Sequence, residues 1–394
     1  MEAAYASPRE TADVLRGRDM LCFGHDWSGD PLSKTHLMRI LARDNRVLWI
    51  NSIGYRTPQA SARDLRRAIN KLKAVTQPVK EVEKNIFVLN PLAIPAYGVP
   101  WMRTINRELL RLQILRAMRR LRFKRPIDWV FNPTASVVAG SLGEDLLVYY
   151  CVDEFTAFSD AGTRSMIELE DQLIRKSDLV IVSAERLLRS KGVKNPRTVL
   201  VRHGVDYDHF RKALLPETQV PREIAGLPRP IIGYFGLMAA DWIDVDLLAH
   251  VARHFAGGSL VLLGKVTTDL SSLTSLPNVH LLGRKPFSEL PGYSKGFDVA
   301  ILPFPISEVT LNANPLKVRE YLAAGLPVVS TRIPEVEVLG LARIADTKED
   351  FVRELEKALE DPGPKAERSD PMKSESWEGR VEEVRRHVAA LGRR

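Results

Sequence analysis

Asn312–Thr331 reads N-A-N-P-L-K-V-R-E-Y-L-A-A-G-L-P-V-V-S-T, a loop, a short helix and a buried strand in succession. Asn314 suits the N-cap, because its side chain can accept from backbone N–H groups of the first turn. Pro315 suits the first helical position, where a missing N–H costs nothing. Gly325 and Pro327 end the helix, and Val328–Val329 resume as strand. A helix start offers unpaired N–H groups and about half a positive charge, a natural seat for a phosphate. Lys317 adds a full charge in that first turn. Glu320 follows at i+3 on the same face, within reach of a sugar diol beside the phosphate. Alone, such a Lys–Glu pair is usually a solvated pair on an amphipathic helix. The loop, cap and strand around it favour a binding site.

Outward from this segment, apolar runs alternate with amphipathic stretches, the pattern of parallel sheets covered by helices on both faces. The first half predicts strands at Met20–Phe23, Val47–Ile50, Ile86–Leu89, Trp129–Phe131, Leu146–Cys151, Leu179–Ser183 and Val199–Val201. Helices fall between them at Lys34–Arg43, Thr104–Arg122 and Thr163–Lys176. A second series runs Ile231–Tyr234, Ser259–Leu263, His280–Leu282, Val299–Leu302 and Val328–Ser330. Phe210–Pro230 reads as a linker, and Trp377–Ala390 as a last helix after a Pro/Gly/Ser-rich break at Asp361–Ser376. At 394 residues the chain suits two domains. Ligands of open parallel sheets bind beyond the carboxyl ends of the strands, so residues just after strands are the site candidates.

The segment P-L-K-x-x-E-Y-L-A-A-G-x-P-V-V resembles the donor-nucleotide signature of the GT-B glycosyltransferases, and most closely the teichuronic-acid-type glycosyltransferases. It is also similar to the xanthan glucuronosyltransferase family, where a Lys at this place binds the diphosphate. The commonest branch carries a second Glu eight positions before the first-mentioned one, and here that position is Asn312. The resemblance implies an α/β fold of two Rossmann-like domains facing across a cleft, with the C-terminal helix crossing back to the first domain. Residues 1–205 would form the acceptor-binding domain, 206–375 the nucleotide-sugar-binding domain, and 376–394 the returning helix. Asn314, Pro315, Leu316, Lys317 and Glu320 would bind the donor.

Asp153 lies just beyond the strand Leu146–Cys151. A carboxylate there can take the proton of an acceptor hydroxyl, and in the glucuronosyltransferases an Asp after a similar strand is that base. The retaining branch has a His at this place, so Asp153 favours inversion. Asp153 or Glu154 could otherwise cap the helix that follows. R-H-G-V-D-Y-D-H-F, Arg202–Phe210, resembles the turn between GT-B domains, with His203 in place of Asn and Gly204 permitting close backbone approach. I-I-G-Y-F-G-L-M, Ile231–Met238, ends in a turn where Gly236 and Met238 would lie near the donor phosphates. The retaining branch places an Arg and a Lys after this turn; Ala239–Asp244 holds no cation. L-L-G-R-K-P-F-S-E-L-P-G-Y, Leu281–Tyr293, matches the stretch that meets the nucleobase, through Arg284, Lys285 and Tyr293. Arg284 and Lys285 could equally be plain surface, and Tyr293 core. After the first strand, His25, Asp26 and Trp27 are candidates for contact with an acceptor sugar. The D-x-D pairs Asp206/Asp208 and Asp244/Asp246 read as structural, and no metal or other cofactor is expected.

Charge is uneven. Arg56–Arg125 holds 17 Lys/Arg against 4 Asp/Glu, within a chain of net charge +8. That suits peripheral contact with anionic membrane lipid or a phosphorylated acceptor, or equally a set of solvated helices with an Arg-rich surface; no reader motif for nucleic acid accompanies it. The segment Trp101–Arg125 is helical in composition, with apolar residues spread widely around it and no clean membrane-surface stripe. Cys22 and Cys151 fit no zinc spacing and suggest a reducing compartment. The N-terminus lacks a signal-peptide core, and no run is long enough to span a bilayer. The expectation is a cytoplasmic enzyme, peripheral to the inner membrane face, moving sugar from a UDP-sugar to a saccharide or lipid-linked acceptor of the cell envelope or an exopolysaccharide. Its rivals are a nucleotide-sugar epimerase of the same fold, a non-catalytic binding protein, and lastly a dehydrogenase, for which the dinucleotide fingerprint is absent.

Overall fold

The apolar runs of the first half form strands buried on both faces, which is why they read as continuous hydrophobics and not as alternation. The computed structural model describes residues 15–53, 79–94, 96–157 and 164–391. Two units emerge, Met1–Arg202 with Val381–Arg394, and His203–Arg380.

The first unit holds β1 (Asp19–Phe23), β2 (Arg46–Ile50), β3 (Lys80–Glu83), β4 (Ile86–Leu89), β5 (Ile127–Val130), β6 (Leu146–Cys151), β7 (Leu179–Val182) and β8 (Thr198–Leu200). Their order is β3-β4-β2-β1-β5-β6-β7-β8. All pairs are parallel except β3 with β4. Leu21 and Phe23 face one core and Met20 and Cys22 the other. Val381, Val384 and Val388 of the last helix, Trp377–Ala390, are buried in this second core.

The second unit holds β9 (Ile231–Phe235), β10 (Ser259–Leu263), β11 (Val279–Gly283), β12 (Val299–Leu302), β13 (Val328–Thr331) and β14 (Arg343–Ala345). The order β11-β10-β9-β12-β13-β14 is the doubly wound arrangement whose direction reverses between β9 and β12.

The differences from the sequence reading are local. β3, K-E-V-E, is an exposed antiparallel edge strand whose charges hide it from a hydrophobic pattern. β14 is a three-residue edge. Phe210–Pro230 is no free linker, because Phe210 and Ile224 are fully buried in the second unit's core. The break before the last helix is likewise packed: Met372 is buried, and Ser369 Oγ donates to Ala323 O at 2.6 Å.

Candidate functional site

The donor-site candidates gather where the second sheet divides. β9 pairs with β10 up to Phe235, but with β12 only at Ile232 and Gly233. The last residue of β9 therefore lacks a strand neighbour on that side, and Tyr321 fills the gap. Phe235 N donates to the Tyr321 hydroxyl at 2.8 Å, and that hydroxyl donates to Phe235 O at 3.2 Å. Two bonds thus pin the helix Leu316–Ala323 beside the switch point. Lys317, one turn before Tyr321, sets Nζ 5.2 Å from the centre of the Phe235 ring. Lys317 Nζ also donates to Glu320 Oε2 at 2.8 Å. The Lys–Glu pair is thus real and half-sheltered, its side chains 26% and 8% exposed.

The helix start differs from expectation. Pro315 stands at the N-cap position, and no side chain caps the first turn. Asn314 instead accepts from Arg319 Nη1 at 2.6 Å, while its carbonyl accepts from His203 Nδ1 at 2.8 Å. Arg319 is buried and also donates to Glu375 at 3.1 Å, so it clamps the approach loop from below. At the far end Gly325 N donates to Leu322 O and Leu326 N to Tyr321 O, a Schellman close. Gly325 has φ +83°, and a Cβ there would lie 2.5 Å from Lys365 O. Asn312 donates through Nδ2 to Glu308 O at 2.7 Å and Glu308 Oε2 at 3.3 Å. Glu308, exposed at the start of the short helix Glu308–Leu311 after β12, thus places a carboxylate beside the position where the commonest branch has one.

The turn after β9 is shaped by glycines. Gly236 N donates to Leu263 O at 2.9 Å, which commits that N–H to the sheet. Gly264, φ +141°, packs so closely that a Cβ would fall 1.8 Å from Gly236 O. Met238 is fully buried in the core, and its N–H is bonded to Lys265 O. Tyr293 is also core, its hydroxyl bonded to Glu223. Lys285 reaches Glu223 at 2.6 Å and lies 5.6 Å from the Tyr293 ring centre. Arg284 is exposed. Gly204 meets protein backbone: a Cβ there would lie 2.9 Å from Trp377 Cα. Asp206 and Asp244 cap helices, accepting from His209 N at 3.2 Å and Leu247 N at 2.8 Å, and not as a metal pair.

In the first unit the acid pair after β6 separates into two roles. Glu154 is tied down, accepting from Thr156 Oγ1 at 2.6 Å and pairing with Lys191 at 2.8 Å. Lys191 also meets buried Glu170 at 3.0 Å. The Asp153 side chain makes no hydrogen bond or ion pair with a described residue. Burial raises its pKa to about 6, opposed by the nearby charge of Lys34. Lys34, which the sequence reading passed over, opens the helix Ser33–Leu41 after β1. It too makes no hydrogen bond or ion pair among the described residues. Burial lowers its pKa, and the Asp153 and Cys22 groups work against that. Only the packing of two elements distant in sequence brings it to Asp153.

The loop after β1 wraps Trp49. Its indole Nε1 donates to His25 O at 2.8 Å, and Trp27 meets it edge-on at 4.9 Å. Burial, helped by Lys34, holds the His25 pKa down to about 4, so the ring is neutral at pH 7. Its Nδ1 is buried without a hydrogen bond among the described residues. Asp26 accepts from Ser52 N at 3.2 Å, and Arg39 lies 5.3 Å over the Trp27 ring.

Residues 229–361 match the family of glycosyl transferases group 1. TuaH of Bacillus subtilis (strain 168), described as a teichuronic acid biosynthesis glycosyltransferase, is 23% identical over 253 residues. The match spans 59% of this chain and 63% of that relative, less than two thirds of its length. Sucrose-phosphate synthase from Thermosynechococcus elongatus superposes with TM-score 0.69 at 15% identity, covering 95% of this chain and 99% of the other. Anabaena Alr3699/HepE, solved in complex with UDP, gives TM-score 0.61 at 12% identity, covering 95% and 100%. The chain thus has the GT-B fold, and residues 229–361 of its second unit are similar to the glycosyl transferases group 1 family.

Proposed function

We propose that this protein transfers a glycosyl unit from a nucleoside diphosphate sugar, of the uridine diphosphate type, to a hydroxyl of a saccharide or lipid-linked acceptor in cell-envelope or exopolysaccharide synthesis. The observation that carries the reading is the Lys317–Glu320 pair, held by Tyr321 at the point where the second sheet divides. On donor binding Lys317 exchanges the carboxylate for the diphosphate, and Glu320 is released to accept from the ribose diol. The likeness to a UDP-bound relative and to TuaH supports the donor and acceptor classes.

In the reaction proposed, Asp153 takes the proton of the acceptor hydroxyl. The oxygen attacks the anomeric carbon as the bond to the diphosphate breaks, a single displacement that inverts configuration. Lys317 and the uncapped helix start meet the charge that develops on the leaving group, so no metal is required. A carboxylate with pKa near 6 is ionised at pH 7 yet basic enough to receive a proton in the transition state.

A panel of nucleotide sugars scored by thermal shift tests the donor, since a ligand at 100 times its Kd adds about 2.7 kcal/mol. NMR of the product's anomeric proton tests inversion, and turnover in EDTA tests metal independence. A panel without a single stabilising nucleoside diphosphate sugar refutes the assignment.

A further inference from the structure

The helix Pro100–Leu121 turns one stripe inward. On it Leu110, Ile114, Ala117 and Met118 are buried in the first unit's core. Arg103 and Arg107 extend the same i, i+3, i+4 spacing toward the helix start. A guanidinium does not give up its water as a leucine does, so before Leu110 the stripe no longer closes on a core. A cavity of about 540 Å³ opens there, lined by both arginines and by Ser136, Gly140, Gln172 and Lys176. Of the basic stretch Arg56–Arg125, residues 56–78 lie outside the described residues.

The walls of this cavity are cationic. Lys176 ends the helix Arg164–Lys176 and donates through Nζ to Ser136 O at 2.5 Å and Ala139 O at 2.6 Å. These bonds fix the ammonium and leave it a third N–H donor. Burial lowers its pKa to about 8; Glu144 opposes that, and the charge of Arg107 adds to it. Two helices thus hold two cations close enough to repel each other. The acids nearby do little to neutralise them. Asp128 is fully buried, and burial and then Glu144 raise its pKa well above the usual carboxylate range, which favours its neutral form. Glu144 accepts from the backbone N–H groups of Gly140 and Leu142. Glu168 is committed to Arg103 at 3.0 Å. Arg107, 55% exposed, has no charge partner among the described residues nearer than Glu108 at 3.9 Å. The Gln172 side chain is exposed and makes no hydrogen bond with a described residue.

We propose that this cavity binds a small phosphate ester, its oxygens shared by Arg107, the remaining N–H of Lys176 and the Gln172 amide. A dianion there relieves the repulsion between the two cations, and a guanidinium offers an oxyanion two parallel donors. The volume is that of a small-molecule site. It is no acceptor seat. Asp153 follows the carboxyl end of β6, whereas Lys176 lies at the other end of a helix roughly 18 Å long, beside the amino end of β7. The ligand is therefore neither substrate of the proposed transfer, and its binding needs neither donor nor turnover.

Isothermal titration of the full chain with glycerol 3-phosphate at constant ionic strength tests it. A Lys317→Ala background removes the diphosphate candidate of the second unit. Saturable binding is expected, at least as tight as that of inorganic phosphate. Arg107→Gln should weaken it about tenfold or more, as for loss of a charged hydrogen-bond donor, and Arg107→Glu should weaken it further. Because Arg107 is exposed, both variants should melt near the parent. Asp153→Asn should bind as the parent does. Absence of saturable binding, or binding indifferent to both Arg107 substitutions, would overturn the proposal. So would loss of binding in Asp153→Asn, which would return the anion to the acceptor side. A clear preference for dihexanoyl phosphatidate over glycerol 3-phosphate would overturn it too, giving the cavity to a lipid headgroup. UDP binding by the wild-type chain, measured alongside, bears on the donor assignment alone.

Discussion

Replacing Asp153 with Asn should stabilise the protein while abolishing its activity. The carboxyl's pKa is raised from 3.8 to about 6, chiefly by burial. The folded state therefore binds a proton more readily than the unfolded chain. Such a group favours folding below its unfolded pKa and loses that advantage as pH rises through the folded value. Between about pH 4 and 6 wild-type stability should fall, and above pH 6 the ionised carboxylate remains as a standing cost. The shift corresponds to about 3 kcal/mol at 1.36 kcal/mol per unit. Because the side chain keeps some contact with water, about 1–2 kcal/mol is a better expectation. For a unit of some 200 residues that is about 2–4 °C in Tm for each kcal/mol. Melting both proteins from pH 4 to 8 should show Asp153→Asn gaining over wild type as pH rises, then levelling off. Turnover should fall by at least about 100-fold throughout. A variant less stable than wild type at pH 8 would mean that Asp153 is a structural cap or ion-pair member, and the reasoning would fail.

Lys317→Ala should lower kcat about 100- to 1000-fold, as for loss of one preorganised contact to a developing charge, with the far-ultraviolet circular dichroism unchanged. Lys34→Gln removes the cation that lowers the Asp153 pKa; the acid limb of the pH–rate profile should move to higher pH, and an unmoved limb would separate the two groups. Gly264→Ala forces a Cβ to 1.8 Å from Gly236 O at a φ of +141°; a Tm drop equivalent to about 2 kcal/mol or more is expected, measured by differential scanning calorimetry.

Much of this architecture is written locally. Leu146–Cys151, Ser259–Leu263, Val299–Leu302 and the helix Trp377–Ala390 have the limits their residue patterns suggest. A strand buried on both faces must be apolar throughout, and a helix must repeat its apolar side every turn. Gly325 announces the end of the donor-site helix because a left-handed closing residue admits little else. Short-range requirements of this kind survive translation into sequence. β3 was hidden because an exposed edge strand need not be apolar, and the packed Phe210–Pro230 segment because turn residues look alike whether buried or free.

The site itself was only half legible. Lys317 and Glu320 are three residues apart on one helix, so their meeting follows from the chain's own geometry. Asn314 was misassigned because its real partner, Arg319, competes for the side chain with the backbone it would have capped. Asp153 and Glu154 are adjacent and chemically similar, and nothing in their order tells base from anchor. Lys191, itself anchored by Glu170 from a separate helix, claims Glu154 and leaves Asp153 to face Lys34. Sequence alone determined which segments become strands and helices, because that depends on neighbours within a turn or two. Tertiary structure alone decided which carboxylate stays without a partner among the described residues, because burial and charge at a point are summed over residues as far apart in the chain as Lys34, Asp153 and Lys191.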